Sequence, residues 1–201
     1  MKKKTYIYAA LTSLMILSCK PNDLISVKEN ISNETVLIEP GIKNHITIDS
    51  VPITIPIELE ISVNTANLEK VSLYFITINN KRLLNENVDY EVFNKNNKEK
   101  SIYFSLNEDE LDTQRKYNII IKVATQMVSR KEVSELLKKY NSSQSLENLN
   151  SGRMIKLISY KKFRKENHKI IRDFQKINDT IVFVVHPKIG ENILVKKKIN
   201  W

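Results

Sequence analysis

The sequence predicts a mainly β fold, a sandwich or small barrel followed by an α+β C-terminal extension. Three observations carry that expectation. Ile53, Ile55, Ile57, Leu59, Ile61 and Val63 alternate with Thr54, Pro56, Glu58, Glu60 and Ser62, which puts the apolar side chains on one face of a strand. Further apolar runs recur between short polar turns as far as Val123. From Ser129 the spacing becomes helical, and it returns to that of strands near Ile181.

Within the first strand, Pro56 lacks an N–H, so it must lie at an edge, at a bulge or where the chain switches sheets. Val71 to Ile78 is apolar on both faces and suits a central strand. Val88, Tyr90 and Val92 give a further strand, and Ile102, Phe104 and Leu106 another. Tyr117, Ile119, Ile121 and Val123 alternate in the last strand of the set. Ser129 with Glu132 forms a capping-box signature, so a helix is expected from Arg130 to about Tyr140. A polar loop follows, then a strand over Met154–Ser159. Tyr160, Phe163, Ile170, Ile171, Phe174 and Ile177 predict one basic amphipathic helix over 161–176. Ile181–Val185 reads as a buried strand, with Ile193, Val195 and Ile199 in its hairpin partner. Only three glycines occur, so few phosphate-cradling loops or nucleophile elbows are available. Asparagines are therefore expected in left-handed turn positions, at Asn79-Asn80 and Asn94–Asn97.

Leu111, Tyr117 and the alternation after Tyr117 resemble the tyrosine corner of immunoglobulin-like and fibronectin type III-like domains. The resemblance implies an immunoglobulin-like β-sandwich, with Tyr117 as a buried anchor whose hydroxyl bonds to nearby backbone. The cysteine pair is missing, as is a tryptophan on the corresponding third strand, so the likeness carries architecture and no function.

The N-terminus has Lys2 to Lys4, an apolar run from Ile7 to Leu17, and Ile16-Leu17-Ser18-Cys19. The run contains Thr12 and Ser13 and is shorter than the ~20 residues of a spanning helix. It resembles the signal peptide and lipobox of bacterial lipoproteins. That resemblance implies removal of residues 1–18, acylation of Cys19 with palmitate-type chains, and permanent anchoring. Lys20 stands where an aspartate would imply inner-membrane retention, so the expected location is the outer membrane facing the periplasm. The resulting plan is a signal peptide (1–18), the lipidated cysteine and a flexible tether (19–35), a β-sandwich domain (36–125) and an α+β region (126–201). Removing three lysines and no acids lowers the formal charge from +9 to +6. With Cys19 the only cysteine, internal disulfides and thiolate metal clusters are excluded.

Few residues announce chemistry. His45, His168 and His186 lack metal-ligand spacing. Asn107–Asp112 holds four carboxylates, without the spacing or glycine of an EF-hand, and reads first as a solvated turn. Asp49-Ser50-Val51 and Asp179-Thr180-Ile181 resemble a three-residue O-glycosylation signal of exported bacterial proteins. The strongest charge feature is Lys156–Lys176, with Lys161, Lys162, Arg164 and Lys165 at its centre and Lys196–Lys198 as a further cluster. Export makes nucleic acid an unsuitable partner, and a solvated helix face or contact with an anionic surface remains. No catalytic, metal or cofactor residue is assigned. The expected function is non-enzymatic binding or scaffolding in an envelope or secretion assembly, with a protein partner. The alternatives are glycan or small-ligand binding in a groove lined by Tyr90, Tyr103 and Tyr160, and a hydrolytic enzyme.

The lipobox reading has a direct test. Mass spectrometry of the mature N-terminus should show an acylated Cys19, and Cys19→Ser should block processing. A native chain that begins elsewhere without lipid would contradict it.

Overall fold

The computed structural model describes residues 23–39, 49–85, 89–140, 143–146, 149 and 152–201. The signal peptide, Cys19, His45, Val88 and Asn141 lie outside them, and the side chains of Ala124 and Thr125 are likewise not described.

The fold is mainly β. One sheet is built from β1 (Ile25–Asn30), β2 (Thr35–Ile38), β3 (Ser50–Val63), β6 (Tyr90–Asn94), β7 (Asn97–Ser101), β9 (Lys116–Ser129) and β10 (Ile155–Ser159). Its order is β10-β2-β3-β9-β6-β7, with β1 following β2's side of β3. The other sheet contains β4 (Leu68–Ile78), β5 (Lys81–Leu83), β8 (Ser105–Asn107), β11 (Thr180–Pro187) and β12 (Ile193–Lys198), in the order β12-β11-β4-β5 with β8 also on β4. All pairings are antiparallel, consistent with a β-sandwich.

The alternation in β3 does what its spacing predicts. Ile55, Ile57, Leu59 and Ile61 face Val123, Ile121, Ile119 and Tyr117 across the β9 ladder, and they join one core with Val71, Leu73, Ile76, Ile181, Phe183 and Val185 of the other sheet. Pro56 is accommodated by two irregularities. The β3–β9 register shifts between Ile53 and Ile55, and the pairing on the other side is interrupted, β1 ending with Asn30 opposite Glu58 while β2 pairs only from Leu37 opposite Thr54. The missing N–H thus falls beside a break in pairing.

Several expectations change. The tether expected over 19–35 is shorter, because Ile25–Asn30 forms β1 against β3. The expected boundary between residues 125 and 126 falls within β9, and the later segment supplies β10 to one sheet and β11 and β12 to the other. Of Ile102–Leu106, only the end is strand, as β8. The acidic stretch after Asn107 forms α1 (Glu108–Thr113), because Glu108, Asp109 and Glu110 lie in the first turn, where carboxylates favour the helix dipole. Glu110 also accepts from the Asn107 N–H at 2.9 Å. Among the described residues no group of three His, Cys, Asp or Glu residues is placed to hold a metal ion.

Other features follow the sequence closely. Asn79 and Asn80 have φ of 51° and 61°, forming the two-residue turn between β4 and β5. Asn94–Asn97 also turns the chain, but without positive φ: the Asn94 Oδ1 accepts from the Asn96 N–H at 2.8 Å. Helix α2 (Arg130–Lys139) starts at Ser129, whose Oγ accepts from the Glu132 N–H at 3.2 Å. Tyr117 is half-buried rather than buried, yet its hydroxyl donates toward the carbonyls of Glu110 and Gln114, the latter at 2.9 Å.

Asp179, just before β11, is fully buried. Its Oδ1 accepts from the Asn79 N–H at 2.8 Å, and its Oδ2 accepts from Gln126 Nε2 at 3.0 Å and Trp201 Nε1 at 2.8 Å. The Asp179-Thr180-Ile181 triplet is therefore locked into the core and a paired strand, rather than presented in a loop. Asp179→Asn turns one acceptor oxygen into an NH₂ group that faces donors. It should lower stability by about 1–3 kcal/mol in urea unfolding, the range for stranding buried polar groups. An unchanged midpoint would show that these bonds contribute nothing net.

Candidate functional site

The basic segment 161–176 forms two helices instead of one: α3 (Tyr160–Glu166) and α4 (His168–Gln175). The break is at Asn167, which has φ −125° and ψ 52°. Its backbone N–H and its side-chain Nδ2 both donate to the Phe163 carbonyl, at 2.9 and 2.8 Å, and Nδ2 also donates to Tyr140 Oη at 2.7 Å. Lys139 Nζ donates to its Oδ1 at 3.2 Å. A side-chain amide that competes for the carbonyl at the end of a helix is a local reason for the chain to stop there.

Tyr160 and Phe163 on α3, and Ile170, Ile171 and Phe174 on α4, are buried. This fixes which side of the pair the cations occupy. Lys161, Arg164, Lys165, His168, Arg172 and Gln175 surround a cleft of about 670 Å³, with Ile31 and Ile171 as its apolar part. Ile31 belongs to the link between β1 and β2. The first backbone groups of α3 are held to that link, Tyr160 N–H donating to the Glu34 carbonyl at 2.8 Å and Lys161 N–H to the Ser32 carbonyl at 3.1 Å.

Three of the four residues expected to meet an anionic surface, Lys161, Arg164 and Lys165, line this cleft. Lys162 does not, and it lies 3.9 Å from Glu166 on the same helix. Arg172 and His168 join them, having been outside the group chosen from sequence. Among the described residues, Lys161, Arg164, Lys165 and Arg172 form no ion pair, whereas Lys139, Lys162, Lys169 and Lys176 around the same helices each do. The cleft has no carboxylate in its lining. Glu29 acts electrostatically on Arg164, but it already accepts from the Asn200 N–H at 2.9 Å. Burial raises the Glu29 pKa, against the lowering influence of Asn200, Lys197 and Arg164. Beneath the helix, burial pushes the Tyr160 hydroxyl well above its ordinary range, and that hydroxyl has no hydrogen-bond partner among the described residues.

A concentration of cations without internal counter-charges can attract an anion. The aromatic groove expected from Tyr90, Tyr103 and Tyr160 does not form: Tyr90 faces Val123 on the inner side of its sheet and Tyr160 is buried, leaving Tyr103 exposed.

Compared with known proteins, the chain matches no family model, no curated protein and no solved structure.

The helix break predicts a measurable effect. Asn167→Ala removes the side-chain bonds to Phe163 and Tyr140 and should cost about 1–2 kcal/mol in chemical denaturation. Faster amide exchange at the end of α3 should accompany it. Unchanged stability and exchange would show that the helices separate without help from the amide.

Proposed function

We propose that this protein is a lipid-anchored envelope lipoprotein with a non-enzymatic binding role, and that its basic cleft receives an acidic face of a partner protein. The observation that carries the reading is the cleft itself, where Lys161, Arg164, Lys165 and Arg172 converge without ion pairs among the described residues. The reading also takes the two sheets as an immunoglobulin-like sandwich, supported by the bond from Tyr117 to the Gln114 carbonyl.

The place of the cleft favours protein over lipid headgroups. Acylation at Cys19 leaves Lys20 to Leu24 as the connection to β1, a span of at most about 18 Å. Ile31 lies at the far end of β1 from Asp23, roughly 25 Å away at ~3.3 Å per residue. With the Asp23 end held near the bilayer and β1 directed along the membrane normal, the cleft would stand some three Debye lengths off at ~8 Å each in physiological salt. Headgroup charge is largely screened over that distance.

Poly-glutamate serves as the probe, added to full-length protein in phosphatidylcholine nanodiscs. Binding should weaken strongly as salt rises from about 0.1 M to about 1 M, where the Debye length falls to ~3 Å. Replacing Lys161, Arg164, Lys165 and Arg172 by Gln should abolish it. Phosphatidylglycerol in the same nanodiscs should leave binding intact. Salt-independent binding, or binding retained by the fourfold variant, would leave the helices as a solvated face, and competition by phosphatidylglycerol would assign the cleft to headgroups.

A further inference from the structure

A second cleft, of about 540 Å³, opens between the β6–β7 turn, the segment before β8, and the start of β9. Phe104, Leu106 and Ile119 provide its apolar floor, all three buried. Its rim is built from uncharged groups able to form hydrogen bonds, chiefly the amides of Asn94, Asn97, Gln114 and Asn118. Tyr103 stands beside them, its ring 69% exposed and available for stacking.

The hydrogen bonds already made show what is left over. Asn94 and Asn97 use their Oδ1 atoms to accept from the N–H groups of Asn96 and Glu99, at 2.8 and 3.2 Å. Among the described residues, their Nδ2 groups make no hydrogen bond. Gln114 donates its amide to the Lys116 carbonyl, so its Oε1 acceptor remains available. The cleft therefore presents donors and acceptors together, above an apolar floor.

Its charge is the deciding feature. The chain has 32 lysines and arginines, yet none of those among the described residues lines this cleft. Four neighbouring cations are engaged elsewhere: Lys95 with Glu58 at 2.7 Å, Lys98 with Glu34 at 2.6 Å, Lys116 with Glu60 at 3.8 Å, and Arg115 with the Thr65 carbonyl at 2.7 Å. The lining has one carboxylate, Glu110, and one of its oxygens is taken by the Asn107 N–H. An anionic ligand would find no counter-charge. A purely apolar ligand would strand the amides without water, at the cost that attends buried unpaired polar groups.

We propose that this cleft binds a neutral saccharide. Sugar hydroxyls donate and accept at once, matching a rim of mixed amide donors and acceptors. The C–H face of a pyranose offers the apolar surface that the Tyr103 ring and the floor require. The volume is within the range of about 300–1,000 Å³ of small-ligand sites. The residues differ from those of the basic cleft, so the two readings stand or fall separately.

The test uses full-length protein in a zwitterionic detergent, since sugar-headed detergents would compete. It is screened against a printed array of neutral and acidic glycans, and hits are titrated by calorimetry as monosaccharide and as oligosaccharide. The two forms distinguish capture of a free sugar from recognition of a chain. A neutral glycan should bind without strong salt dependence. Tyr103→Ala should weaken it by about tenfold, equivalent to about 1.4 kcal/mol, while Tyr103→Phe retains binding. Asn118→Ala should weaken it as well. Because Tyr103 is exposed, its replacement leaves the fold intact, which unfolding of the same samples verifies. An array without neutral hits, a preference for acidic glycans, or wild-type affinity in Tyr103→Ala would overturn the proposal.

Discussion

The arrangement of this fold depends on one carboxylate without solvent access. Taking an ionised aspartate out of water costs several kcal/mol unless donors replace the hydration it loses. Asp179 receives them from the β4–β5 turn at Asn79, from Gln126 on β9 and from the terminal Trp201, and its own carbonyl accepts from the Ile199 N–H at 2.9 Å. These groups are distant in sequence and come from both sheets. A slipped register in β9 or a detached C-terminus would leave the charge bare, so Asp179 selects among packings that hydrophobic burial alone would tolerate. The selection extends to the helices. Trp201 packs edge-to-face on Phe174 of α4, with ring centroids 6.3 Å apart, and its carbonyl accepts from Gln175 Nε2 at 2.6 Å. The helix that carries half of the basic cleft is thus tied to the same buried charge.

A second constraint fixes where that cleft opens. Pro56 removes a ladder donor from β3, and the chain alongside it leaves the sheet between Asn30 and Thr35. The interruption brings out Ile31 and frees the carbonyls of Ser32 and Glu34, which the N–H groups opening α3 then use. Those N–H groups have no partner within their own helix, so the break in one element satisfies the start of another. Without the interruption β1 and β2 would run as one strand, and α3 would lose its seat.

Much of the fold was legible where the sequence repeats a signal. Six alternating apolar residues defined β3, Ser129 with Glu132 defined the start of α2, and Tyr117 led to its backbone partner. Short or wholly polar elements escaped because their stability is borrowed. β1 has only Ile25 and Val27 on its inward side, and β7, Asn97–Ser101, has no apolar residue at all. Asn167 hid a helix break, since an asparagine within a periodic run does not show whether its amide will find the Phe163 carbonyl. The basic cluster was visible, but its sorting was partly so: the four-residue spacing of Lys162 and Glu166 marks a pair that could have been set aside, while Arg172 joins only through the turn between α3 and α4. The amide-lined cleft has no local signature, because Asn94 and Asn118 meet only when β6 pairs with β9.

Taken together, the two clefts show that charge on this surface is placed rather than spread. Exposed ion pairs add little stability, typically about 0–1 kcal/mol, so the bonds of Lys98 and Lys116 to Glu34 and Glu60 are poorly explained as supports of the fold, whereas Lys95 also serves the buried carboxylate of Glu58. Their larger effect is electrostatic: Lys95, Lys98 and Lys116 each have a carboxylate at hand, and no lysine or arginine among the described residues lines the amide cleft. Around α3 and α4 the acids Glu132, Glu166 and Asp173 pair with cations outside the cleft, and among the described residues Lys161, Arg164, Lys165 and Arg172 form no ion pair, Glu29 and Asp173 acting on Arg164 and Arg172 only through space. A field arranged in this way divides ligands by charge before any contact is made. On the two proposals, an acidic partner would be drawn to the helices and gain nothing at the amide rim, while an uncharged ligand would be indifferent to the helices and selected by hydrogen bonding and shape. One small body would, on that reading, hold two partners of different chemistry without competition between them.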